Sequence, residues 1–113
     1  MTATGQNFYI YQGDDKEIFV TTYDEDNATL DITSCSLTWV AYKRYPENIV
    51  LTKITGSGIT ITVPASGIFR IDFNPNDTLG LLGEYNHECE LIDTNLNVST
   101  IFVGTMNVYK SKA

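Results

Sequence analysis

Three side chains have the chemistry to ligate a metal or attack a substrate: Cys35, His87 and Cys89. Thiolates and imidazole are the usual zinc ligands, but a structural zinc takes four of them, with cysteines commonly spaced as Cys-x₂₋₄-Cys. Cys89 instead stands two residues from His87, and no fourth ligand accompanies the three. His87 is therefore read as a core or rim histidine. The acidic runs Asp14-Asp15 and Asp24-Glu25-Asp26-Asn27 offer oxygens to calcium, yet an EF-hand loop starting at Asp24 would need Gly where Thr29 stands. Solvated turns are expected there. Nucleophilic catalysis lacks its parts, since the chain has one His and no Gly-x-Ser-x-Gly motif. Gly56-Ser57-Gly58 lacks the Lys and the following helix of a phosphate loop. A pair of glycosidase carboxylates would need a sugar cleft, which so small a chain rarely builds. No nucleophile, base and oxyanion site can be named together. The expectation is a non-enzymatic protein with no cofactor and no metal.

Tyrosines carry more information. If Phe8 and Ile10 face a core, alternation along a strand turns Tyr9 and Tyr11 outward. Tyr42 and Tyr45 similarly flank the run containing Trp39, on the side away from the core. Outward tyrosines combine contact area with a polar tip and are enriched at interfaces. Ordinary cross-strand pairing on a sheet face is the competing account. These four residues form the expected partner surface. The sequons at Asn27, Asn76 and Asn97 are expected by chance in a chain rich in Asn and Thr.

The elements that must position these residues are strands. At 113 residues the chain makes one domain, burying about 65% of its unfolded surface. With 42% hydrophobic residues and no long apolar run it is expected neither to be disordered nor to span a membrane. The first residues, MTATGQNFYIYQGDD, have neither the basic nor the apolar part of a secretory signal, so the protein is expected to be made in the cytoplasm and to stay there or leave by lysis or inside a particle. A net charge of −7 repels phosphate backbones and disfavours nucleic acid. Residues 1–7 are small and polar and are expected to be a flexible arm. Short β-type runs follow, divided by turn residues: Phe8–Gln12, Glu17–Tyr23, a short Leu30–Ile32, Cys35–Arg44, Ile49–Ile54, Ile59–Val63, Ile68–Phe73, a run ending at Ile92, and Val98–Tyr109. Thr55-Gly56-Ser57-Gly58 reads as a hairpin-like loop. Gly104, inside the last run, suggests a bulge or a close backbone approach.

The stretch Asn74–Leu91, NPNDTLGLLGEYNHECEL, is the most specific. Asn74-Pro75-Asn76-Asp77 is turn chemistry, and Asp77 can cap a short turn over Thr78–Leu82. A strand then places Tyr85, His87, Cys89 and Leu91 on one face. A Tyr opening a late strand after a corner resembles the tyrosine corner of immunoglobulin-like sandwiches, where the hydroxyl ties the corner down. The spacing from Asp77 to Tyr85 is eight residues, against four in that family. The expected fold is all-β: an immunoglobulin-like β-sandwich of about eight antiparallel strands spanning 8–110, with a tail at 111–113. In such sandwiches the Trp39 strand would pair antiparallel with the Tyr85 strand. A register setting Trp39 opposite Tyr85 would set Cys35 opposite Cys89, making a disulfide conceivable. The missing signal peptide favours two free thiols.

Motifs along the whole chain resemble the immunoglobulin-like N-terminal domain of phage baseplate upper proteins and related virion accessory domains. Phe8, Ile10, Gln12, Gly13 and Asp14 match an opening F-x-I-x-Q-G-D, and Asp31-Ile32-Thr33 a D-L-T before the third long strand. Asp77, Thr78, Leu81, Gly83 and Tyr85 match D-T-x-x-L-x-G-x-Y; Gly104, Met106 and Val108 match a closing G-x-L-x-V. The resemblance implies a sandwich attaching one virion component to another, in many copies on a symmetric particle, with other phage virion proteins as partners and no membrane or nucleic acid. It brings no catalytic residues. Family members often continue into a helical or receptor-directed region, whereas this chain ends at Ala113. A freestanding accessory protein or an excised domain is expected. The alternative expectation is a module binding carbohydrate or a host surface, which would need an aromatic platform or a calcium loop.

Overall fold

The computed structural model describes residues 2–44 and 47–111, with the side chain of Arg44 set aside. Eight strands run through these residues: β1 (Phe8–Tyr11), β2 (Lys16–Thr21), β3 (Ser36–Arg44), β4 (Glu47–Thr55), β5 (Gly58–Val63), β6 (Ile68–Phe73), β7 (Gly83–Ile92) and β8 (Val98–Tyr109). One helical turn, α1 (Pro75–Thr78), precedes β7. The fold is all-β, and each main run of alternating residues becomes a strand. Leu30–Ile32 does not; there the loop instead sinks Ile32 wholly into the core.

Hydrogen bonding is continuous in the order β1-β8-β7-β3-β4-β5-β6-β2. The sheet therefore does not divide into the two sheets of a sandwich. It curls nearly into a barrel, so that Trp39 of β3 meets Phe73 of β6, three places along the order, with ring centroids 5.2 Å apart. The strands are also not all antiparallel. β1 runs parallel to β8, and β4 parallel to β5. The glycine loop after β4 is accordingly no hairpin. Gly56 and Gly58 take left-handed φ values of 85° and 98°, which restore the chain to its earlier heading. β5 touches β4 at two pairs only, Ile54↔Gly58 and Thr55↔Ile59, before crossing to β6.

β3 and β7 pair antiparallel, but Trp39 stands opposite Cys89, Leu37 opposite Leu91 and Ala41 opposite His87. This corrects the expected register, in which Trp39 faced Tyr85. Cys35 falls just outside the paired residues and Cys89 is buried beside Trp39; both are free thiols. The core lies inside the curl. Trp39, Phe69, Ile32, Leu37, Ile59 and Met106 are among its fully buried side chains. Burial of such side chains contributes about 1.5–3 kcal/mol each.

Sequence-distant turn residues lock together at one end. Gln12 Nε2 donates to the Leu81 carbonyl at 2.6 Å, and the Gly13 N–H donates to Thr78 Oγ1 at 3.0 Å. The β1–β2 turn is thereby fastened to the corner between α1 and β7. Asn74 caps α1, accepting from the Asn76 N–H, while the Asp77 carboxylate accepts from the Asn74 N–H. Asp77 therefore lies in the third position of the helical turn and not at its cap, and that turn spans Pro75–Thr78 rather than Thr78–Leu82.

A candidate interaction surface at the β1 edge

β1 ends the strand order, so one of its backbone edges is unpaired within the sheet. Its alternation buries Ile10 and turns Tyr9 and Tyr11 outward, 55% and 46% exposed. Register with β8 brings Tyr109, 48% exposed, directly opposite Tyr11. The three rings touch: centroids lie 6.1 Å apart for Tyr9–Tyr11, 5.8 Å for Tyr9–Tyr109 and 5.6 Å for Tyr11–Tyr109. Lys16 Nζ stands 5.3 Å from the Tyr9 centroid, within cation–π range. The patch combines three phenol hydroxyls, ring area and one ammonium on a strand edge. That arrangement suits protein contact.

Tyr109 was missed by sequence reasoning, although the phase of β8 held the signal. Met106 and Val108 are core residues, so Tyr109 must point away from them. Tyr42 shares the outer face of the sheet but is half-buried, and β7 and β8 separate its strand from β1. It does not join the cluster. Tyr45 lies outside the described residues.

Residues 2–7, expected to be a flexible arm, extend the β1 pairing along β8. The Ala3 N–H donates to the Ile101 carbonyl at 2.9 Å, the Val103 N–H to the Ala3 carbonyl at 2.9 Å, and the Gln6 N–H to the Val103 carbonyl at 3.1 Å. Asn7 Oδ1 accepts from the Thr105 N–H at 2.9 Å. Gly104 makes this possible. A β-carbon there would overlap the Gln6 carbonyl, so the close backbone approach it suggested is to the arm.

Beneath the arm lies His87, 3% exposed. Its Nδ1 accepts from Trp39 Nε1–H at 3.0 Å, and its Nε2 lies 2.6 Å from the Gln6 carbonyl. Burial pushes its pKa below the ordinary imidazole value, and the Gln6 bond opposes this in part. A cavity of about 340 Å³ opens beside it, at the seam where β1 and the arm approach β2 without pairing. Phe8, Ile18, Val20, Trp39, Ile71 and Phe102 supply its apolar lining.

The remaining residues singled out by chemistry serve the fold. The Tyr85 hydroxyl accepts from the Leu82 N–H at 3.0 Å and holds the corner before β7. Trp39 is fully buried. Asp24 Oδ1 accepts from the N–H groups of Asp26 and Ala28, closing its own loop. Asp93 does the same for Asn95 and Asn97, which holds its carboxyl below the usual range. Among the described residues, no three His, Cys, Asp or Glu side chains are grouped to hold a metal. No protein-family model matches the chain, and no curated protein matches its sequence.

Proposed function

We propose that this is a non-enzymatic structural domain of a phage virion that attaches one protein of the particle to another. The observation that carries the attachment reading is the Tyr9–Tyr11–Tyr109 cluster on an edge strand. Exposed aromatic anchors with polar tips are the commonest strong contributors to protein interfaces. An edge strand also offers backbone groups to a neighbour. Repetition on a symmetric particle would add weak single contacts into firm attachment. The virion assignment itself rests on the motif resemblance.

The test replaces Tyr9, Tyr11 and Tyr109 together by Ser. Circular dichroism should show the domain folded, because the rings lie outside the core, and purified particles should retain markedly less of the variant. Normal retention would move the attachment surface elsewhere, with the Tyr42 side next in order.

The geometry of the same cluster speaks against a second reading, a platform for carbohydrate. The rings are mutually inclined at 90°, 54° and 46°, so they share no plane across which a sugar face could lie. Glycan binding without particle retention would select this reading over the first.

A further inference from the structure

His87 joins a buried tryptophan to the chain's first residues, and its hydrogen bonds fix its protonation. Nδ1 accepts from Trp39 Nε1–H, so it carries no proton. The single proton of the neutral ring therefore sits on Nε2 and is donated to the Gln6 carbonyl. A second proton would turn Nδ1 into a donor facing another donor, because the indole N–H has no lone pair to offer. The Trp39 bond would be lost, and a cation would sit in an apolar site.

Among the described residues no charged side chain packs against the ring; the Gln6 carbonyl offsets the charge in part, and burial outweighs it. β3 presents Trp39 and, in register, Ala41; β8 presents Phe102 and Gly104; β1 presents Phe8; the arm presents the Gln6 backbone. Across the cavity stand Ile71 of β6 and Ile18 and Val20 of β2. The titratable neighbours are Tyr23, which lines the cavity, and Tyr85 and Cys89, which share the buried face of β7. Burial, with Glu90 nearby, pushes the Cys89 thiol up to about 12, so it stays neutral. Among the described residues, no Asp, Glu, Lys or Arg lines the cavity. Residues 2–7, which cover the ring, are themselves exposed to water.

We propose that His87 is a proton-operated latch for residues 2–7: the neutral ring holds the arm on β8 through Gln6, and protonation lifts it. Lifting hydrates the imidazolium, opens the cavity and frees the backbone of Ile101 and Val103 for another strand. The direction follows from linkage. With the arm down, His87 titrates below the ordinary value of 6.5; with the arm raised it returns toward that value. The open form binds more protons between the two, so docking is full above about pH 6.5 and weakens as pH falls.

Amide hydrogen exchange on the whole chain, corrected for the intrinsic pH dependence of exchange, tests this. Between pH 7.5 and pH 5 the Ala3, Gln6 and Val103 amides should lose about tenfold of their protection, a typical coupling between two sites. The amides that join β3 to β7 should keep theirs. In His87→Gln, which offers an acceptor and a donor but does not titrate, arm protection should be the same at both pH values. Unchanged protection in the parent chain, or an equal loss in His87→Gln, overturns the latch. Should His87→Gln not fold, deletion of residues 2–6 decides by reciprocity. Removing the arm must raise the His87 pKa measured from imidazole resonances, and an unchanged or lower value overturns the proposal.

Discussion

Lys53 Nζ lies 2.6 Å from Asp77 Oδ2, with both side chains largely withdrawn from water. The pair ties β4 to the corner after β6, and the same carboxylate oxygen accepts from the Asn74 N–H at 2.8 Å. The Lys53 stem lies against Gly58, where a β-carbon would overlap it, and Nζ stands 5.7 Å from the Phe73 centroid. One ion pair thus closes the most weakly paired part of the sheet, where β4 meets β5 at two residues.

Removing one partner leaves the other charge buried and uncompensated, which costs about 3–5 kcal/mol. Asp77→Asn and Lys53→Met should each approach the lower end of that range in urea denaturation. The double variant should cost less than their sum by about 0.5–3 kcal/mol, as expected for residues in contact. Strict additivity would show that the pair carries no coupling and that α1 capping alone explains the Asp77 effect.

Tyr85 and Trp39 separate a corner from a core. Tyr85→Phe keeps the ring but leaves the half-buried Leu82 N–H without its acceptor. The expected loss is about 1–3 kcal/mol. Trp39→Ala opens a large cavity and strips His87 Nδ1 of its donor. That should cost about 3–5 kcal/mol or abolish folding. Chemical denaturation of both variants gives the comparison, and a Trp39→Ala chain as stable as its parent would contradict the burial described here.

The two thiols should differ in reactivity. Cys35 is half-buried, its pKa raised by burial and by the charges of Asp93 and Asp31. Cys89 is fully buried and pushed up to about 12. Because the thiolate is the nucleophile, alkylation of the folded chain at pH 8 should label Cys35 first and Cys89 only on unfolding. Titration under denaturing, non-reducing conditions should find both. Equal labelling rates in the folded state would mean that β7 opens far more readily than its pairing with β3 and β8 suggests.

The alternation of Phe8–Tyr11, Ile59–Val63, Ile68–Phe73 and Gly83–Ile92 is local, and it was enough to mark the strands and the outward phase of Tyr9 and Tyr11. Gly104 was legible for a related reason: a glycine within a strand signals that something occupies the space of its side chain. The β3–β7 register was not. The expected partner of Trp39 was Tyr85 and the observed one is Cys89, four residues further along the same strand. A slip by an even number leaves every side chain on its own face, so period-two patterning is blind to it. Only packing inside the curl selects among such registers. The same holds for the parallel β4–β5 contact, the burial of Lys53 against Asp77, the seat of residues 2–7 on β8 and the meeting of Tyr109 with Tyr9 and Tyr11. Each joins residues far apart in the chain, and their energies depend on distances that local pattern does not encode. The sequence by itself determined most of the strands and the face most of their residues present, Leu30–Ile32 and Val63 being exceptions. The tertiary structure decided which of those faces meet, because only contact energies separate registers and pairings that alternation leaves equivalent.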